Sequence, residues 1–200
     1  GHGVDIAHFS PPFDEEPEAL RDLPRPILGF YGALDDWRFD IDLFVAVARA
    51  HPEATVVVCG PQAMDLAPLE PVPNIVYLGA IPYDELPAYA SRFDVGLMPY
   101  LRNEFVEACN PIKLKEYLAL GFPVASIDFP ELAPYADVVH TATDEPTFLA
   151  AVDAALAEVG DTARAERRRA MVAEDDWDVI ADECERLLRL SATPSVPPRG

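Results

Sequence analysis

Four short, nearly unbroken apolar stretches constrain the fold of this 200-residue chain more than anything else in it: Ile27–Tyr31, Thr55–Cys59, Val95–Met98 and Val124–Ile127. Each is too short for a buried helix, and three of them run directly into glycine or proline: Gly32, Gly60-Pro61 and Pro99. A strand with one wet face alternates apolar and polar residues. A stretch that is apolar throughout is covered on both faces, which is the condition of a parallel sheet. Ile75–Leu78 and Val138–His140 are weaker signals of the same kind. Between them, Ile41–Ala50 and Tyr83–Phe93 carry apolar residues at helical spacing, and a turn of helix is expected near Glu131–Tyr135. Beyond Glu145, three more helical stretches follow: Pro146–Glu158, Asp161–Ala173 and Trp177–Leu190. The alternation predicts an α/β fold: a single Rossmann-like, doubly wound parallel sheet of about six strands, flanked by helices, with C-terminal helices added. One domain is expected over residues 1–190, with 191–200 as a disordered tail and Pro11–Pro26 irregular on the surface.

Ligands of doubly wound sheets lie outside the carboxyl ends of the strands. The loops of interest are therefore Gly32–Asp40, Gly60–Met64, Gly79–Tyr83, Tyr100–Cys109 and Asp128–Glu131. Thirty-five acidic against fifteen basic residues give a formal charge of −20, which repels nucleic acid and anionic membrane surfaces. A phosphate-bearing ligand has to be held against that field by local amides and a few cations such as Lys113 or Arg102. Cys59, Cys109 and Cys184 have no metal-ligand or disulfide spacing, and no signal-peptide pattern or membrane-length apolar segment occurs. These features predict a soluble protein with reduced thiols in the cytoplasm.

Most phosphate-binding and catalytic signatures are missing. There is no GxGxxG, no GxxxxGK[ST] and no GxSxG, and His8 and His140 read as structural or surface residues. What stands out is NPIKLKEYLALGFPVA, Asn110 to Ala125. Asn110 suits an N-cap, Pro111 the first helical position and Gly121 a left-handed C-terminal cap. A helix starting there offers unpaired amides and a positive dipole end to a phosphate. At 100° per residue Ile112, Lys113, Glu116 and Leu120 share one face and Leu114, Tyr117 and Leu118 another. Spacing alone leaves Lys113 and Glu116 open between an exposed i,i+3 ion pair and a functional carboxylate.

With these stretches assembled, the chain resembles the C-terminal, donor-binding domain of a GT-B fold glycosyltransferase of the retaining group 1 type. The resemblance rests on GVDIAHF (Gly3–Phe9), GFYGALDDWRFD (Gly29–Asp40), NIVYLGAIPYDELPAYASRFDVGLMPY (Asn74–Tyr100), NPIKLKEYLALGFPVA and DDWDVIADECERLL (Asp175–Leu188). It implies a nucleotide-sugar donor, a UDP-sugar in the family's common form, transferred as a hexosyl group in polysaccharide biosynthesis. It implies that Glu116 accepts hydrogen bonds from the ribose diol, and that Asn110, Pro111, Ile112 and Lys113 frame the diphosphate. It places Ile81 and Tyr83 at the base, and gives Gly32 and Ala33 the role of admitting the donor phosphates closely. Lys113 is the candidate cation at the reacting phosphates.

The chain departs from the family's common form at Ala108, where a second glutamate is frequent eight positions before Glu116. Glu107 is the candidate catalytic replacement, with Glu104 beside it, and Arg38 is the nearest first-loop cation. The resemblance further implies an N-terminal acceptor domain, in the parent chain or a partner, without which transfer by this chain is expected to be slow or absent. No metal and no cofactor are expected, since no Asp-x-Asp site stands out. Two other readings stay open: a non-catalytic association or regulatory module with a decayed pocket, and a nucleotide-sugar epimerase.

Overall fold

A computed structural model of the chain describes residues 2–10, 12–13 and 16–191, the side chains of the last two excepted. Six parallel strands form one sheet: β1 (Ile27–Tyr31), β2 (Thr55–Cys59), β3 (Ile75–Tyr77), β4 (Val95–Met98), β5 (Val124–Ile127) and β6 (Val139–Ala142). Their order is β3-β2-β1-β4-β5-β6. The chain winds outward from β1 to one edge, returns, and winds outward from β4 to the other, so β1 and β4 flank the switch point. Every residue of β1, β2, β4 and β5 is buried, as their unbroken apolar character requires, whereas edge strand β3 is partly exposed.

The helices are α1 (Glu18–Arg21), α2 (Ile41–Ala50), α3 (Leu86–Ala90), α4 (Glu104–Glu107), α5 (Ile112–Leu120), α6 (Glu145–Leu156), α7 (Thr162–Met171) and α8 (Trp177–Ser191). Across the sheet's flanks α2 packs against α6, and α5 against α7. Asp40, Asp144 and Asp161 cap α2, α6 and α7 by accepting from the amides of Leu43, Thr147 and Arg164. Helix α8 leaves Trp177, Val179 and Leu187 exposed. No helix among the described residues is long and apolar enough to cross a membrane.

Several sequence expectations need correction. The helix expected over Tyr83–Phe93 is only the five-residue α3, with Pro87 at its start and Tyr83 outside it. The loop after β4 is not free of structure: Asn103 accepts from the Val106 amide and closes the single turn α4. One helical turn, α1, interrupts the irregular Pro11–Pro26 stretch. The expected turn near Glu131–Tyr135 is a 3₁₀ helix, Pro130–Tyr135. The expected tail lies outside the described residues, apart from Ser191 at the end of α8.

Gly96 lets α5 approach the sheet, while Gly29 makes room for the Phe93 ring. Gly29 on β1 is the registered neighbour of Gly96 on β4. A Cβ on Gly96 would lie within 3.0 Å of the Tyr117 and Phe122 rings, so its absence lets Tyr117 settle on the strands. The Tyr117 hydroxyl accepts from the Tyr31 amide at 3.3 Å, and the two rings meet edge to face at 4.9 Å. This contact fixes the rotation of α5 and turns the preceding residue, Glu116, toward the end of β1.

Candidate functional site

Helix α5 begins next to the switch point, but not with the cap expected. Pro111 is the N-cap and contributes no side-chain hydrogen bond. The Asn110 side chain is engaged elsewhere, donating to Glu131 Oε2 at 2.8 Å and accepting from the His2 amide at 3.4 Å. The N–H groups of Ile112 and Lys113 therefore have no acceptor among the described residues, and the positive end of a nine-residue helix stays uncapped. At the other end Gly121 closes the helix in the left-handed region, φ +90°, as expected.

The two-faced picture of α5 fails, because every residue from Leu114 to Leu120 is buried. Glu116 is only 5% exposed, so the exposed ion pair is excluded. Its Oε2 accepts from the Tyr31 hydroxyl at 2.8 Å and its Oε1 from the Tyr83 hydroxyl at 3.5 Å, a marginal distance. Burial pushes the Glu116 carboxyl above its usual range, against the lowering effect of the Tyr31 hydrogen bond and of the nearby Lys113 charge. A carboxylate with two well-placed oxygens and few tight partners can accept from an incoming vicinal diol.

Lys113 folds inward rather than outward. Its Nζ donates to the Tyr100 hydroxyl at 3.1 Å and lies 3.7 Å from the centroid of the Phe30 ring and 5.2 Å from that of Tyr100. Burial draws the ammonium down to about 7, with the Glu116 charge opposing. The space Nζ takes is the space Gly32 leaves: a Cβ there would sit 2.5 Å from it. Gly32, at φ +139°, thus makes room for this chain's own cation, in the place the sequence reading reserved for an incoming phosphate.

The remaining candidates divide between those near this pair and those apart from it. Tyr83 is 52% exposed and presents an aromatic face above the carboxyl edge, its hydroxyl raised to about 12 chiefly by burial. Ile81 is half-buried and packs on the core, Ala33 is half-buried beside Gly32, and Ile112 is exposed. Arg38 is not a free phosphate cation: its Nε donates to Asp35 Oδ2 at 3.0 Å, and that pairing raises it further. Glu107 and Glu104 lie exposed on α4. Arg102 donates to the Thr143 carbonyl at 3.0 Å, away from Lys113.

Sequence reasoning missed Tyr31, Phe30, Tyr100 and His8. The first three had a signal in their position, as aromatic residues at the carboxyl ends of the two strands that flank the switch point. His8 had none. Its ring stacks on Tyr83 at 4.8 Å and its Nε2 donates to the Tyr83 carbonyl at 3.0 Å, while Phe9 is fully buried beneath both. The segment carrying them is tied down by the Val4 bridge to Asp176 and by Lys115, whose Nζ reaches the His2 carbonyl and Asp175.

Comparison with known proteins bears on the family and the fold. The model of the family described as glycosyl transferases group 1 matches residues 25–158. TuaH of Bacillus subtilis (strain 168), whose provisional name is teichuronic acid biosynthesis glycosyltransferase, is 30% identical over 163 residues, covering 77% of this chain and 41% of TuaH. Among solved structures, a glycosyltransferase from Rickettsia africae ESF-5 superposes with a TM-score of 0.75 at 13% identity, covering 97% of this chain and 57% of that one. Anabaena Alr3699/HepE in complex with UDP-glucose gives 0.66 at 15% identity, over 95% and 56%. These structural likenesses establish the shared fold. The chain spans about half the length of the proteins it matches.

Proposed function

The chain belongs to the group 1 glycosyl transferases, and from that premise we propose that it binds a nucleoside-diphosphate sugar at the carboxyl edge of β1 and β4, as the donor half of a retaining glycosyltransferase. The observation that carries this reading is Glu116, a buried carboxylate at the switch point held by two tyrosine hydroxyls, four residues from the uncapped start of α5 at Ile112. In this reading the ribose diol donates to Glu116, replacing the long Tyr83 contact. The diphosphate lies on the amides of Ile112 and Lys113 with Gly32 and Ala33 beside it, and the base meets Ile81 and the Tyr83 face. Charge developing on the departing diphosphate is stabilised by the helix end and Lys113, with no metal assigned a part. Glu107, the exposed acid before α5, is assigned to the sugar side, where Ala108 leaves no carboxyl.

The donor is assigned as a UDP-sugar, supported by the UDP-glucose complex of HepE. The TuaH likeness supports a role in polysaccharide biosynthesis, and the family an N-terminal half that supplies the acceptor. A cytoplasmic setting fits the three free cysteines. Calorimetric titration with UDP, UDP-glucose and other nucleoside diphosphates tests the reading. Saturable binding of a nucleoside diphosphate, lost when the diphosphate is removed to leave uridine, is the expected result; no binding of any of them refutes it.

A further inference from the structure

Lys113 carries an inference beyond its assignment to the diphosphate. An ammonium has three N–H donors. Among the described residues only the Tyr100 hydroxyl, at 3.1 Å, accepts one of them, while the faces of Phe30 and Tyr100 supply cation–π attraction in place of further acceptors. The ammonium fits because Gly32 has no side chain, a Cβ there being 2.5 Å from Nζ. The charged and titratable groups around it are Asp35 and Arg38 from the β1–α2 loop, Tyr31 at the end of β1, Tyr100 after β4, Cys109 before α5 and Glu116 on α5 itself. None lies within ion-pairing distance of Nζ, and Arg38 is bound to Asp35. The ring faces offset only part of the hydration lost there, so on balance the cage favours a neutral amine over an ammonium. The same residue's backbone amide lies in the first turn of α5, so a phosphate arriving at the helix end comes within reach of the four-carbon stem.

We infer that the Lys113 amine is stored in the Phe30–Tyr100 cage beside Gly32 and leaves it to meet the donor's diphosphate, taking up a proton from solvent as it does so. The inference rests on the donor-site reading above. The step balances simply: the amine lone pair gains one solvent proton, and the ammonium exchanges a hydroxyl and ring faces for phosphate oxygens. Its placement near neutrality follows from burial, which draws Lys113 to about 7.

The test is calorimetric titration of UDP at about pH 8 in two buffers of different ionisation heat. At that pH the terminal phosphate is already ionised, its second ionisation lying near 6. The wild-type chain is expected to take up most of one proton per UDP bound. Lys113→Arg, which is always charged, is expected to bind UDP without uptake, and Lys113→Met to bind at least tenfold more weakly without uptake. Absence of any UDP binding by the wild type overturns the donor-site reading and this inference with it. Binding whose heat is independent of buffer, or the same uptake in Lys113→Arg, overturns this inference alone.

Discussion

Replacing Glu116 by Gln separates a carboxylate kept for a ligand from one kept for the fold. In the free protein the exchange is nearly isosteric, and Gln still accepts from the Tyr31 hydroxyl now 2.8 Å from Oε2. The loss is the charge assistance of that bond, on the order of 1 kcal/mol as it falls from the charged to the neutral range. The gain is relief from burying a negative charge, and it has a definite sign: the folded carboxyl titrates above its ordinary value, so its contribution to stability is lost as pH rises through the folded value. The two effects oppose each other, and chemical denaturation at about pH 7.5 is expected to place Glu116→Gln within about 1 kcal/mol of wild type. Binding behaves differently. A carboxylate accepts from both ribose hydroxyls, whereas Gln accepts at one oxygen and turns an N–H₂ toward the other. Losing one charge-assisted bond and weakening its neighbour costs about 2–3 kcal/mol, roughly 30- to 150-fold in UDP affinity. A variant destabilised by more than about 2 kcal/mol with UDP affinity intact would refute the reasoning and make Glu116 a structural residue.

Two further predictions follow from half-buried Lys113 and buried Lys115. Lys113 titrates at about 7 in the folded chain, against about 10.4 when unfolded, so between those values the unfolded state binds more protons and stability rises with pH. Urea denaturation at about pH 7 and 9.5 is expected to show a rise of about 1–3 kcal/mol that Lys113→Met abolishes; a rise unchanged in the variant would assign it elsewhere. Lys115 bonds the His2 carbonyl at 2.5 Å and pairs with Asp175 at 3.0 Å. Lys115→Met is expected to cost about 1–3 kcal/mol, below the figure for a fully buried pair because Asp175 keeps some exposure, and to speed proteolysis within residues 2–10. Cleavage at the wild-type rate would show that the segment is held by Phe9 and the Val4 bridge alone.

The parts of the fold legible in the sequence were those set by local pattern. The four apolar stretches declared buried parallel strands because a strand covered on both faces has no room for polar alternation, and the observed bounds of β1, β2, β4 and β5 agree with them residue for residue. Gly121 declared the end of α5 because a residue without a Cβ tolerates φ +90°. Asn110 misled for a related reason: its side chain has good capping chemistry, and only the arrival of Glu131 and His2, distant in sequence, drew it away. Apolar spacing reads Tyr83 as a helix start and does not reveal that the turn begins three residues later at Leu86.

By itself, then, the sequence determined a doubly wound α/β domain and singled out α5, with Glu116 on it, as the stretch to test for a ligand. Tertiary structure alone decided what those groups touch. Tyr31 and Glu116 are 85 positions apart and meet because Gly96 lets Tyr117 dock α5 on the strands. Lys113 turned inward because the crossover placed β1 beside β4, bringing Phe30, Tyr100 and the bare backbone of Gly32 around one side chain. A helical period fixes the face on which a lysine lies, but the charge it keeps depends on the solvent and partners that packing leaves it.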